Sequence, residues 1–339
     1  MRKIIEIPEA YKLYRIFDKI CFNKFVTGDQ RINLSYFDGT QVQLIERGNF
    51  YVGKQVGNSY MWQPREGLGL KIWDKNFNVV NEVSWEIYFG SRQLLENKLI
   101  ATIVENDIST TRLYSEDLSY TTTLNRLIVA RGGGVFISSK NNKQAIEAYG
   151  ILDNEIKWEM DFSGFTGGGH PVNPNKSRKP NEVQVPYGPG GNDDTVFIPL
   201  SYGQLVALNA SDGQIQWIID LTGSSICYGN QLYNLNGPEL IELDIKTGAV
   251  VKTLEFGKYI DKKGLLMSAP FKVYEDFILV QGLDSIVALV DRKNLTLTDW
   301  IQLDSKEPPR IASNETVMHW CNDHLYVVDM NEKLHIYSR

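Results

Sequence analysis

One short pattern, an apolar strand, a polar turn and a second strand, is written repeatedly along the chain. Its sharpest copies run from Leu205 to Trp217, with Asn209-Ala210-Ser211-Asp212-Gly213 as the turn, and from Leu240 to Val251, with Asp244-Ile245-Lys246-Thr247-Gly248 as the turn. Apolar residues alternating with period two on both sides of an Asp, Asn, Ser and Gly turn describe an antiparallel hairpin. A single hairpin cannot bury its apolar face, so the same unit recurring at a steady interval implies a propeller or a solenoid.

Fainter copies lie at Gly69 to Val80, Thr111 to Tyr120, Ile146 to Trp158 and Ile286 to Leu295, with a truncated one at Lys333 to Tyr337. Their first turn residues are 74, 115, 150, 209, 244, 291 and 338, a mean spacing of about 44 residues, the size of a four-stranded blade. The expected fold is an all-β propeller of four-stranded antiparallel blades, seven in number, forming one domain over residues 1–339. Residues 20–60 match the template poorly, which leaves six and eight blades open. The alternating segment Arg2 to Ile7 has no hairpin of its own, and the last copy lacks an outer strand. The N-terminal strand is therefore expected to fill that place and close the ring, leaving no free blade edge. Trp73, Trp158 and Trp217 recur at equivalent or nearby repeat positions, which predicts flat wedges between neighbouring blades rather than a ligand stack.

The copies Val206-Ala207-Leu208-Asn209, Asp212-Gly213 and Trp217, then Leu243-Asp244 and Thr247-Gly248 without a tryptophan, resemble the repeat of the quinoprotein-like (PQQ-repeat-like) β-propeller superfamily. The resemblance spans most of residues 60–339 and is strongest over 130–255. It implies a fold rather than a chemistry. Catalytic members bind pyrroloquinoline quinone in an eight-bladed ring about twice this length, commonly against a disulfide of adjacent cysteines and beside calcium. Here Cys21, Cys227 and Cys321 are far apart, and the chain is read as too short for that ring, so no cofactor is expected. Non-enzymatic members are scaffolds that bind other proteins, including an outer-membrane assembly lipoprotein.

Composition narrows the partner. With net charge −6 and no basic cluster beyond Lys176-Ser177-Arg178-Lys179, nucleic-acid binding has little electrostatic support. The apolar start of the chain is broken by Glu6, Pro8 and Glu9, and nowhere do 18 apolar residues run together, so neither a signal peptide nor a membrane span is expected. An odd number of scattered cysteines suggests free thiols in a reducing compartment. A cytoplasmic chain, monomeric when free, is the expectation.

The widest gap between copies holds a Gly- and Pro-rich stretch, residues 164–194, too rich in helix and strand breakers to be anything but a long loop. Its Gly167-Gly168-Gly169-His170 run lacks the Gly-Lys-Ser/Thr ending of a phosphate-binding loop. His170, Lys176, Arg178, Lys179 and Tyr187 are its candidate partner-binding residues, since Tyr and Arg dominate interface energetics. No metal site is expected. The nearest alternative is His319, Cys321, Asp323 and His324, of which the first three would share one strand face, although a hairpin turn at Asn322-Asp323 explains the segment as well. Gly132-Gly133-Gly134 is read as an interblade turn.

No nucleophile–base set can be assembled from these residues, and adjacent Asp193 and Asp194 would point to opposite faces of a strand and could not act as a pair. The expected function is a non-catalytic, protein-binding propeller, either a scaffold or an immunity-type protein that neutralises a toxin. A hydrolase or lyase acting on carbohydrate in a central funnel is the alternative, and a small-ligand sensor built on His319 to His324 a third.

Overall fold

The computed structural model describes the chain except for residues 26–31, 48–49, 65–69, 84–86, 96–97, 106–107, 115–119, 125–127, 141–143, 152, 165–190, 202, 259–270, 283–285, 304–317 and 330. After β1 (Arg2–Ile7) come a first sheet of β2 (Ala10–Ile16), β3 (Lys19–Phe25), β4 (Ile32–Phe37) and β5 (Val42–Arg47), and a second of β6 (Phe50–Val56), β7 (Ser59–Pro64), β8 (Leu70–Trp73) and β9 (Val79–Val83). The third holds β10 (Ile87–Leu95), β11 (Lys98–Glu105), β12 (Ile108–Tyr114) and β13 (Tyr120–Leu124), and the fourth β14 (Ile128–Gly132), β15 (Val135–Ser139), β16 (Ala145–Gly150) and β17 (Ile156–Asp161). The fifth has three strands among the described residues, β18 (Thr195–Leu200), β19 (Gln204–Asn209) and β20 (Ile215–Asp220). The sixth comprises β21 (Ser224–Tyr228), β22 (Gln231–Asn236), β23 (Glu239–Asp244) and β24 (Val250–Glu255), and the seventh β25 (Phe271–Val273), β26 (Phe277–Gln281), β27 (Ile286–Asp291) and β28 (Thr296–Gln302). In the eighth, β29 (Met318–Cys321), β30 (His324–Val328) and β31 (Leu334–Ser338) are completed by β1.

The first seven sheets are up-and-down meanders of consecutive strands, and the eighth has the order β1-β31-β30-β29. Two compact units are distinguished, Met1–Asn125 with Asp284–Ile286 and Ile301–Arg339, and Arg126–Leu283 with Val287–Trp300.

Eight sheets among the described residues replace the seven expected. The copy missing from the sequence count is the β4–β5 hairpin. Asp38 N donates to Gln41 O, whereas Asn209 N reaches Gln214 O and Asp244 N reaches Ala249 O. Two residues fewer in the turn put the second strand out of step with the template. The turn chemistry is nevertheless the same: Asp38 Oδ1 accepts the N–H groups of Thr40 at 2.8 Å and Gln41 at 2.9 Å, as Asp244 Oδ1 accepts those of Lys246 at 3.0 Å and Thr247 at 2.9 Å. These bonds, foremost those from the Gln41 backbone and the Thr247 hydroxyl, hold both carboxyls below the usual range. The eight sheets also correct the length argument made from the quinone enzymes, because 339 residues do accommodate eight.

The N-terminal strand takes the outer place of the last sheet as expected, pairing antiparallel with β31 from Arg2↔Ser338 to Ile7↔Leu334. Side chains clasp it there. Glu6 accepts from Lys3 at 2.9 Å and from Lys333 at 3.0 Å, and lies 3.6 Å from His335 Nδ1. Hydrogen bonds from Lys3 and then Lys333, outweighing desolvation, lower the Glu6 carboxyl from 4.5 to about 2. A depressed folded-state pKa contributes stability that is complete above the unfolded value and is lost as the carboxyl protonates. Docking of β1 is therefore expected to weaken between about pH 4.5 and pH 2. Amide exchange of residues 2–7, normalised to the free peptide, should rise across that window, and Glu6→Gln should flatten the profile.

Burial follows position in the meander. In the fifth sheet the middle strand β19 is buried from Gln204 to Leu208, while the outermost β17 and β20 expose all but Trp158 and Trp217, apart from partly covered Met160 and Ile219. The two tryptophans sit opposite Ala148 and Ala207, just before a recurrent bulge at Ala148/Tyr149 and Ala207/Leu208. Each indole reaches the turn of the next sheet. Trp158 Nε1 donates to Ala210 O at 2.8 Å and Trp217 Nε1 to Ile245 O at 2.9 Å. A Cβ at Gly213 would lie 2.6 Å from the Trp158 ring, and one at Gly248 2.8 Å from that of Trp217. Alanine beneath the ring and glycine above it make the slot a flat side chain needs. Trp73 also packs between neighbouring sheets, but from the third strand, with Ile16, Cys21, Leu34, Tyr60 and Trp62.

Candidate functional site

The wedge changes between the sixth and seventh sheets. At the register position of Trp217 and Trp158 the sixth sheet carries Lys252, opposite Glu242 where the others have alanine. The left-handed turn position that is Gly213 and Gly248 elsewhere is Leu295 in the seventh sheet, at φ 52°. Without an indole above it, this site admits a side chain, and Leu295 is buried in the core between the two sheets. Lys252 Nζ still ties the sheets together, donating to Lys293 O at 2.9 Å and pairing with Glu242 Oε2 at 3.2 Å.

A cleft of about 440 Å³ opens here, lined by residues that include Tyr228, Asn230, Gln231, Glu242, Asp244 and Arg292. Its polar groups form one directed network. Gln231 Nε2 donates to Glu242 Oε1 at 2.6 Å, and Gln231 Oε1 accepts from Tyr233 Oη and Arg292 Nη1, both at 2.7 Å. The amide orientation of Gln231 is thus fixed, with its donor end on a carboxylate and its acceptor end on two donors. Arg292 is held further by Nε donating to Glu275 O at 2.6 Å and by its guanidinium lying 4.8 Å from the centre of the Tyr228 ring. Burial pushes the Tyr233 hydroxyl up, opposed by its hydrogen bond from Arg292.

Glu242 is neutralised by Lys252, but among the described residues no carboxylate lies within ion-pair distance of Arg292. Three neighbours fix its position and none of them cancels its charge. Such a group is preorganised to donate to an anion, with nothing spent on ordering it at binding.

Of the residues singled out from the sequence, His170, Lys176, Arg178, Lys179 and Tyr187 lie outside the described residues. The described chain resumes at Gly191, bridged to Val196 of the fifth sheet, and Asn192 Nδ2 donates at 3.2 Å to Oδ1 of Asn230, which lines the cleft. Asp193 and Asp194 are exposed in the bend before β18. Gly133 and Gly134 form the turn between β14 and β15 at φ 51° and 73°, and Gly133 is packed so closely that a Cβ would strike Ala210 at 2.2 Å and Asp193 O at 2.5 Å.

His319 and Cys321 are buried on β29, but Asp323 does not continue the strand alternation, because Asn322 and Asp323 form a left-handed turn at φ 49° and 60°. The Cys321 thiol donates to Asp18 O at 3.0 Å, and His324 Nδ1 lies 2.5 Å from Asn322 O. Among the described residues no group of three or more His, Cys, Asp or Glu is placed to hold a metal ion. All three cysteines are unpaired, and burial pushes their thiols up, that of Cys227 to about 11. Among the described residues no helix is long and apolar enough to cross a membrane.

The family described as outer membrane protein assembly factor BamB matches residues 143–339, which take in the sharp copies and the cleft. No curated protein matches the chain. Among solved structures, BamB from Moraxella catarrhalis is similar at 11% identity and TM-score 0.51, over 99% of this chain and 97% of that one. The C-terminal WD40 domain of Sif2 reaches TM-score 0.59 at 12% identity, over 100% and 99%. Sqt1 of Saccharomyces cerevisiae reaches 0.61 at 8%, over the same shares. At these identities the likeness is one of fold, and that fold is a β-propeller.

Proposed function

Because the chain belongs to the family of the outer membrane protein assembly factor BamB, we propose that it is a non-catalytic propeller that binds a protein partner. The observation that carries this reading is the junction at Asn192. After the Gly- and Pro-rich residues that depart from the repeat, the described chain resumes in the fifth sheet, where Gly191 bridges to Val196, and the Asn192 side chain bonds Asn230, a lining residue of the cleft between the sixth and seventh sheets. A polar contact from Asn192 and a preorganised cation in the same cleft suit recognition of another chain. His170, Lys176, Arg178, Lys179 and Tyr187 are the proposed contacts from the segment. The partner is a component of an assembly or a toxin that the chain neutralises. The site of action we propose is the cytoplasm, supported by three unpaired cysteines and testable by cell fractionation.

The test is capture from native-host lysate with the intact protein and with a variant whose residues 166–190 are replaced by a short Gly-Ser linker. A stoichiometric partner retained by the first and lost by the second is expected. Absence of any partner with either protein would overturn the reading. A captured product of a neighbouring gene that is harmful alone and harmless when co-expressed would identify the neutralising role.

A further inference from the structure

We propose that the cleft between the sixth and seventh sheets is a receptor for a single carboxylate, an Asp or Glu side chain presented by a protein partner, with Arg292 as its principal donor. The proposal rests on the protein-binding reading above and assigns the chemistry of one contact within it.

The guanidinium has five N–H donors in a planar fork. One, on Nε, is given to Glu275 O, and Nη1 serves Gln231 Oε1 with a longer approach of 3.5 Å to Tyr233 Oη. Nη2 has no acceptor among the described residues. Asn230 offers a second donor, because its Oδ1 is taken by Asn192 and its Nδ2 is left over. Two donors from the turns after β21 and β27, both lining one cleft, offer one bond to each oxygen of a carboxylate.

Charge selects the carboxylate over a doubly charged phosphate. Among the charged groups around the cleft, Glu242 pairs with Lys252, and Asp244 is faced by Lys246 with its Oδ1 taken by the Lys246 and Thr247 amides and the Thr247 hydroxyl, which leaves Arg292 as the cation without a carboxylate. One negative charge is balanced by the free guanidinium. A second would find only cations that already face Glu242 and Asp244.

The test is a titration of the full chain, followed by the side-chain Nε–H resonance of Arg292 and assigned by its loss in Arg292→Met. The probes are the blocked peptide Ac-Gly-Glu-NHMe, its Gly-Gln counterpart and inorganic phosphate. A saturable shift with the glutamyl peptide at about millimolar affinity, at least about tenfold weaker with the glutaminyl peptide, is expected. Arg292→Met should abolish binding of the glutamyl peptide, seen in backbone amides of residues 228–231. Asn230→Asp, which removes the second donor and adds a carboxylate to the lining of the same cleft, should weaken it as well and decides the matter if Arg292→Met does not fold. Equal binding of the two peptides, or tighter binding of phosphate, would overturn the assignment. So would a partner captured equally well by wild type and Arg292→Met, an outcome that leaves the protein-binding reading intact. Saturable glutamyl binding without any captured partner would do the reverse, sustaining the receptor while removing that reading.

Discussion

Trp217→Ala is expected to destabilise the sheets around it by about 3–5 kcal/mol, the range for removing a buried tryptophan from a packed site. Three effects add. The indole is only 8% exposed although it lies on an outermost strand. It fills the space between Ala207 and Gly248, which has no side chain with which to relax into the void. Its loss also leaves the Ile245 carbonyl without the bond it accepts from Nε1. Trp217→Phe keeps most of the packing and removes only the donor, so about 1–2 kcal/mol is expected from it. Chemical denaturation of the two variants measures the difference. An alanine variant within about 0.5 kcal/mol of wild type would show that the wedge does not hold the fifth and sixth sheets together.

Asp329→Ala is the second large effect, with an expected loss of about 3 kcal/mol. Asp329 is fully buried in the eighth sheet, where it accepts N–H bonds from Asn331 at 2.9 Å and Lys333 at 3.0 Å. Its other oxygen meets His335 Nε2 at 2.8 Å, and His335 is itself 1% exposed. Truncation strands two backbone donors and a buried imidazole at once. The damage should spread to β1, since His335 Nδ1 faces Glu6. Faster amide exchange in residues 2–7 as well as in β30 and β31 is the expected signature. Asp329→Asn retains an acceptor and should cost roughly half as much. A variant that melts normally with β1 still protected would refute the clasp.

Particular residues show how much of this was open to sequence reasoning. The wedge was legible because its parts lie within one repeat: Trp158 and Trp217 stand eight residues after Gly150 and Asn209, the first turn residues of their copies. The β1 pairing was legible from a copy that ends one strand short. The first sheet was missed because the Asp38 turn is two residues shorter than the template, even though its carboxylate caps the same kind of turn. The cleft left a trace in the sequence, the copy without a tryptophan and the Leu295 that replaces the turn glycine, but only the structure gave that trace a meaning.

The repeated hairpin, its turn carboxylates and its apolar alternation are local chemistry, and local chemistry determined that this chain builds a succession of antiparallel sheets. Each side chain there answers to neighbours a few residues away, so period and turn composition suffice to read it. What stands between one sheet and the next is different. Tyr228, Gln231, Glu242, Lys252 and Arg292 span more than one copy of the repeat and have no periodic relation to one another. Whether Arg292 meets a carboxylate or keeps its charge free depends on which strands pack face to face. Only the tertiary structure decided that, because the energies involved, an ion pair here and a hydrogen bond there, act through space and leave no spacing in the chain.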